Sequence, residues 1–494
     1  ELDMFTDPNF AATMRAEQKK GNVTDRADLY SAGILATAPK GHGTEYGVVV
    51  PTLTSPDQAQ VWVDARIAEG SDYIKIIIED GSEYGAHIPT LSRDIVAAIV
   101  KAAHARGKLA VAHIGTQAEA RMAIEVGVDG LEHLFIDLPP APDFGRFVAA
   151  HHAFVVPTLT VLKSIADSSG VAELASDPRL SSYVSASSRT TINARFPKHA
   201  GSTLNYAYAE AAVKQLIAAH VPILAGTDAG NPGTAHGLAL HRELELLVHA
   251  GLTPAQALAA ATSTPARLFS LTDRGTITSG KRADLLLVNG DPTSDITATR
   301  AIAGIWKDGV RVNRARAGAA TTTAPTAQGT PGLISNFDDG TLKASSGFGW
   351  VVSTDERAGG KSTATMKVVD GGANGTAKSL ETVGNVAPGL PYAWAGPMYM
   401  PGAQPMAPAN LSAAKALHFW AKGDGKTYHV MVFAQNRGYM PLEVDFVAGA
   451  AWKEYAFPFA AFDGIDGHDI MGIAFTAGPE PGPFKLDIDE VSVR

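Results

Sequence analysis

The chain of 494 residues contains no cysteine. That absence excludes disulfides, iron–sulfur clusters, thiolate zinc sites and thiol nucleophiles together. Charge is also sparse: 18% of residues are Asp, Glu, Lys or Arg, with a formal net charge of −9. A nucleic-acid binder would need a basic stripe, and none is present. No apolar run approaches the ~18 residues of a membrane span, and no signal-peptide pattern is visible. There is no initiator Met either. Glu1-Leu2-Asp3-Met4-Phe5 reads like the middle of a buried strand. Free termini are usually disordered unless tied down, so further polypeptide is expected before residue 1. What the chain does have is unevenly placed. Of its 15 histidines only His418, His429 and His468 follow Arg314, whereas Trp350, Trp394, Trp420 and Trp452 all do. Its length allows two to four domains at ~100–200 residues each.

Residues 314–332 are rich in Ala, Thr, Pro and Gly without apolar periodicity, the composition of a linker. Before it, strand-like and helix-like segments alternate. Ser55-Pro56-Asp57-Gln58 is a capping box with Pro at the first helical position, and Thr116-Gln117-Ala118-Glu119 is a second. Ser92 opens a helix with Ile95, Val96, Ile99, Val100 and Ala103 on one face. Strands are expected at Leu2–Phe5, Gly33–Ala36, Tyr73–Ile78, Leu109–His113, Gly130–His133, Phe154–Pro157 and Ile223–Thr227. Apolar strands separated by helices indicate a parallel sheet covered on both faces. The expected fold is an α/β (β/α)₈ TIM barrel over residues 1–274, lacking its first strand in this chain. Residues 275–313 then form part of a small β-sandwich, and 333–494 an all-β jelly roll.

Lys75, His113, His133 and Asp228 fall at C-terminal ends of barrel strands, where barrel enzymes hold their active sites. Each has a plainer alternative. Lys75 would face water on an edge strand, either His would be a hydrogen-bonded core residue, and Asp228 would cap a turn. The four together argue for a site, since His and Asp are ordinary ligands of Zn²⁺. The ordered segments Tyr73-Ile74-Lys75-Ile76, Val111-Ala112-His113, Gly127-Val128-Asp129-Gly130-Leu131-Glu132-His133, Ala225-Gly226-Thr227-Asp228-Ala229-Gly230 and Gly280-Lys281-Arg282-Ala283-Asp284-Leu285 resemble the amidohydrolase superfamily, in its Xaa-Pro dipeptidase/imidazolonepropionase-like branch. The resemblance covers residues 1 to about 313. It implies two divalent metal ions, Zn²⁺ first among them, bridged by a Lys75 carbamylated with CO₂. His113 and His133 would hold one ion; Asp228 would bind the other and shuttle a proton from water shared by the two. His236, His42 and His87 lie in loops after strands and are candidates to line the substrate pocket; His241 on a helix is read as structural.

One departure matters: the His-x-His pair of the family's first strand does not occur. An N-terminal fragment or second chain supplying that strand and its ligands is the expected partner. The function implied is hydrolysis of C–N amide bonds in small substrates such as dipeptides or N-acyl amino acids. Alternatives are a cyclic amide, lactone or phosphoester on the same site, or a non-catalytic binding protein. A periplasmic or secreted bacterial location suits the missing Cys and the linker. In the tail, Asn336-Phe337-Asp338-Asp339-Gly340, the segment from His418 to Gly425 and Asp487-Ile488-Asp489-Glu490-Val491 resemble galactose-binding-like jelly rolls of the CIA30 type. Trp394, Tyr399 and the Met-rich loop 397–406 either form a platform for carbohydrate or pack the core. Asp338 and Asp489 either bind Ca²⁺ or sit in solvated turns. Homo-oligomerisation stays open.

Overall fold

The computed structural model describes residues 1–21, 26–44, 50–85, 87–166, 172–196, 203–314, 327–328, 332–355, 360–388, 393–402, 406–435, 441–462, 465 and 467–494. Most of the expected linker, the turn signal Asp463-Gly464 and part of the Met-rich loop lie outside them. The chain divides into two compact units, Glu1–Ala319 and Ala320–Arg494.

The first unit is a TIM-barrel-like wall of parallel strands running in chain order. β1 (Leu2–Asp3) pairs with β2 (Tyr30–Ser31), and Asp72 donates its backbone N–H to Ser31. A bridge joins Ala36 to Ile76 in β3 (Ile74–Ile77), which continues to β4 (Ala110–His113), β5 (Gly130–Glu132) and β6 (Phe154–Val156). A single bridge from Val155 then reaches Ile223. Three expected strands differ from the sequence reading. Leu2–Phe5 is regular only at Leu2–Asp3. For Gly33–Ala36 the regular pairing falls before it, at Tyr30–Ser31, because Gly33 turns the chain at φ +65° before a single bridge at Ala36. The last makes one bridge, and Asp228 has already left extended geometry at φ +50°.

The two-residue period of a strand decides which side chains enter the barrel. Ile74, Ile76, Ala110, Ala112, Leu131, Val155 and Ile223 face outward into one core with helix residues such as Ile95, Val96, Ile99, Ala123 and Leu247. Tyr73, Val111, Phe154, Val156 and Leu224 form a separate inner cluster. Phe269 closes its lower end, with ring centroids 5.0 Å from Tyr73 and 5.7 Å from Phe154. Gly130 is required there, since a Cβ would meet the Phe154 ring at 2.3 Å. By the same alternation Lys75, His113 and Glu132 point inward, above that apolar floor.

Two buried carboxylates fasten the strand ends above the wall. Thr116 and Glu119 form the expected capping box of the helix Gln117–Glu125. Glu119 also accepts from the backbone N–H of Asp80 at 2.9 Å and of Gly115 at 2.8 Å, tying the loop after β3 to the loop after β4. Glu243, fully buried on the helix Leu238–His249, accepts from Leu159 N–H, Thr160 N–H and the Thr160 hydroxyl at 3.0, 2.8 and 2.8 Å. It holds the first turn of the helix Leu159–Ala166, directly after β6. A three-stranded antiparallel sheet (Leu285–Val288, Ile302–Lys307, Val310–Arg311) ends the unit.

The second unit is a β-sandwich. One sheet has Ile470–Ala477 at its centre, paired with Ala395–Met400, Ala409–Asn410 and Thr427–Ala434. The other centres on Gly482–Val493, paired with Lys378–Val386, Ala416–Gly423 and Gly332–Ser335. Trp350, Tyr399, Phe419, Tyr428, Phe446 and Phe475 fill the core. Tyr399 is 1% exposed, so the carbohydrate platform does not include it. Asp489 is fully buried rather than in a solvated turn, and accepts from Ala373 N–H and the Thr376 hydroxyl. Asp338 accepts from Ala377 and Lys378 N–H. Among the described residues no helix is long and apolar enough to cross a membrane.

Replacing Glu243 with Ala would strand two buried N–H donors and a hydroxyl. Such losses cost about 1–3 kcal/mol each, so urea denaturation of the first unit is expected to show a loss of about 3 kcal/mol or more. A change under 1 kcal/mol would contradict the anchoring role.

Candidate active site

The site lies where β3, β4 and β5 end. Lys75 is 4% exposed, which rules out the water-facing edge strand. Burial lowers its pKa against the opposing pull of Glu132, Asp228 and Asp3. Its neighbour in charge, Glu132, is 3% exposed; burial raises it to about 7, with the Lys75 charge working the other way. The Glu132 Oε1 atom is buried without a hydrogen-bond partner among the described residues. Desolvation moves both groups toward their neutral forms.

His113 and His133 come together edge to face, with ring centroids 4.6 Å apart and planes at 77°. Burial lowers His113 to about 4 and His133 to about 3, so both imidazoles are neutral. His133 Nδ1 lies 2.7 Å from Thr158 Oγ1, and His113 Nε2 lies 2.6 Å from Glu79 Oε2. Glu79, in the loop after β3, is held down at about 2: burial opposes this, but the His113 hydrogen bond and the nearby His113 and His42 outweigh it. His42 stands behind His113, ring centroids 5.0 Å apart, its Nε2 3.7 Å from Glu79. Beside Glu79, Glu83 is raised to about 8 by burial and by the Glu79 charge. Gly115 makes room for it, since a Cβ there would meet the Glu83 carboxylate at 2.1 Å.

Asp228 stands exposed at the rim. Its carboxylate accepts from Asn231 Nδ2 at 2.9 Å, and the Thr234 hydroxyl donates to its backbone carbonyl. Its charge bears on Lys75, Glu132 and His133. The other candidates are scattered. His236 is an exposed residue ion-paired with Glu1 at 3.3 Å, His87 is exposed in its loop, and His241 bonds Thr299 on the far side of its helix. Sequence reasoning missed Glu79, Glu83 and the buried Glu132. The signal was the acidic run Glu79-Asp80 immediately after the strand carrying Lys75.

Neutral imidazoles with carboxylates are the donor chemistry of Zn²⁺ and similar divalent ions. Two such imidazoles in contact, with the Glu79 carboxylate on one and the Asp228 charge bearing on the other, fit that chemistry. Among the described residues His42, Glu79 and His113 also place one donor atom each within 4.8 Å of one another.

Residues 22–316 match the model of the amidohydrolase family. The chain belongs to it. Residues 337–488 match the model of complex I intermediate-associated protein 30 (CIA30). An imidazolonepropionase of Deinococcus deserti is 34% identical over 116 residues, which is 23% of this chain and 29% of that protein. An uncharacterised protein of Mycobacterium tuberculosis is 26% identical over 273 residues, 54% of this chain and 64% of that protein. The chain thus spans less than two thirds of the curated relatives it matches. A solved Xaa-Pro dipeptidase with bound methionine shares the fold at TM-score 0.50 and 23% identity, over 63% of this chain and 74% of that one.

The neutral imidazoles carry a pH signature in the metal-free protein. Their folded pKa values of about 4 and 3 lie below the ordinary 6.5. The unfolded chain therefore binds protons that folded His113 and His133 refuse. The stability they contribute is present above about pH 6.5 and is lost as pH falls toward 4. Glu83 and Glu132 act in the opposite sense, so the measurement must be residue by residue. NMR titration is expected to find both rings unprotonated at pH 5; protonated rings there would contradict the burial argument.

Proposed function

We propose that the first unit is a metal-dependent hydrolase of C–N amide bonds in small substrates, such as dipeptides and N-acyl amino acids. The observation that carries this reading is the convergence of Lys75, His113 and His133 inside one barrel end, with Asp228 at its rim. His113 and His133 would hold one divalent ion, and Asp228 a second. Lys75, its pKa lowered by burial, would as the free amine add to CO₂ through its nitrogen and release a proton, giving a carbamate that joins the two sites. When bound, the ions would supply an acidified water and a polarised carbonyl.

The chain's own groups do the rest. Asp228 is the one carboxylate of the set open to solvent, and Asn231 fixes its orientation. It takes the proton of the attacking water and returns it to the leaving amine, acting as base and then acid. The apolar floor below Lys75 closes the barrel from underneath, so substrate enters from the rim. Family membership supports hydrolysis as the class of reaction.

A screen of dipeptides, N-acyl amino acids and cyclic amides tests the reading. Lys75→Ala and Asp228→Asn are each expected to lower hydrolysis by at least about a hundredfold with the unfolding transition preserved. After metal stripping, recovery is expected to need bicarbonate as well as Zn²⁺. Full activity in either variant would sink the assignment.

A further inference from the structure

We infer that Met398, Met400, Met431 and Met471, gathered on the outer face of one sheet of the second unit, form a thioether site for a soft monovalent metal ion, Cu⁺. The inference concerns the second unit alone and is independent of the hydrolase reading.

Strand alternation separates two clusters on that sheet. Tyr399, Val430, Val432, Ile470, Ile473 and Phe475 face the core between the two sheets. Met398 and Met400 of Ala395–Met400, Met431 and Phe433 of Thr427–Ala434, and Met471 and Ala474 of Ile470–Ala477 form a cluster of their own on the opposite face. The central strand has little bulk on that face. Met398 and Met431 are both cross-strand partners of Ala474, one from each side. One step along the strand, Gly472 leaves room for the Met398 thioether. A Cβ there would collide with the Met398 methyl and stand 3.5 Å from its sulfur. The two flanking strands are about 9–10 Å apart, twice the spacing of neighbouring strands, so side chains leaning inward from both meet above the centre.

Packing alone does not account for this choice of residue. Every methionine that is buried among the described residues of the chain sits in this one cluster. The cluster holds no Leu or Ile. The core on the other face of the same sheet holds Leu380, Leu417, Ile473, Leu486 and Ile488, and no buried methionine. Met differs from these residues in being flexible and in carrying sulfur. Flexibility suits an irregular gap; four sulfurs brought to one place suit a soft ion. Thioethers are soft donors that select Cu⁺, and with no cysteine they are the chain's only sulfur. No carboxylate or imidazole belongs to the cluster, so nothing in it offsets the second charge of a divalent ion.

Met406 adds a fifth sulfur. It packs against the cluster at φ +57° and is half-buried where the other four are buried. Left-handed geometry is uncommon outside glycine, and here it puts a thioether on the accessible side of the group, where an ion would enter. Trp394 also packs against the cluster, its indole N–H donated to Ser353 Oγ at 3.1 Å. An indole ring attracts cations through its face.

Ag⁺ is the redox-silent probe for such a site. The full chain carrying methyl-¹³C methionine is titrated with Ag⁺ and followed by ¹H–¹³C spectra. The methyls of Met398, Met400, Met431 and Met471 are expected to shift together to one end point. Met4, Met122 and Met366, which pack against other cores, are expected to stay in place. Anaerobic competition with bathocuproine disulfonate then gives the Cu⁺ affinity. The double variant Met398→Leu, Met431→Leu keeps the apolar volume. It is expected to melt as the parent does and to bind Cu⁺ at least about tenfold more weakly, the lower end of what loss of a group supporting a metal ligand costs. Met366→Leu is expected to leave the affinity unchanged. Methyls unmoved by Ag⁺, parental Cu⁺ affinity in the double variant, or Zn²⁺ shifting the same methyls as strongly as Ag⁺ would each overturn the proposal. Should the double variant unfold, the methyl titration of the parent chain decides alone.

Discussion

Polar side chains enclosed by an apolar wall must be neutral, paired or hydrogen-bonded, and this constraint organises the first unit. Isolated buried charge is costly enough that a group shifts its pKa instead. Lys75 and Glu132 answer by moving toward their neutral forms. His113 answers by sharing a hydrogen with Glu79, His133 by bonding Thr158, and Glu243 by collecting three donors from one helix start. The barrel interior is thus divided into an apolar floor of Tyr73, Val111, Phe154 and Leu224, and a polar layer above it in which both rings and the Glu79 carboxylate are held by hydrogen bonds.

Much of this was legible in the sequence because the barrel rests on short-range rules. Capping boxes at Ser55 and Thr116, the helix start at Ser92 and the apolar strands were readable from residue type and period alone. Side chains whose roles depend on a loop folding back were not legible. Glu79 and Glu83 look like solvated acids in a turn. Only the path through left-handed Gly81 and Gly85 and the grip of Glu119 on Asp80 lay that turn over His113 and Gly115. His236 shows the converse: it follows the last strand in sequence, and its pairing with Glu1 is made by a loop whose path the sequence does not show. In the tail, aromatic content alone did not separate platform from core, and Tyr399 proved to be core.

Backbone strain collects at the same place. His133, Thr158 and Asp228 all have positive φ, at +80°, +47° and +50°. None is glycine, and each closes the strand-like segment that delivers it. A strand carrying its side chain in register with the wall would point it across the barrel at the height of its neighbours. Breaking extended geometry at the last residue lets the side chain leave that layer and turn toward the rim. The cost is borne by anchors one step away, Glu243 for Thr158 and the Asn231–Thr234 turn for Asp228.

Exposure then separates the carboxylates by task. Glu79 and Glu132 are buried, and their oxygens are committed to a neighbouring ring or enclosed in the barrel. Groups so placed exchange protons slowly with solvent and are suited to holding other groups still. Asp228 is exposed and keeps one oxygen on Asn231, leaving its other open to solvent. A residue that must take a proton in one half of a cycle and surrender it in the next needs that freedom, together with a fixed orientation. The same four-residue turn, Asp228 to Asn231, supplies both. The rim position of Asp228 therefore suits the shuttle role proposed for it, while the groups proposed to act beside it lie inside the barrel.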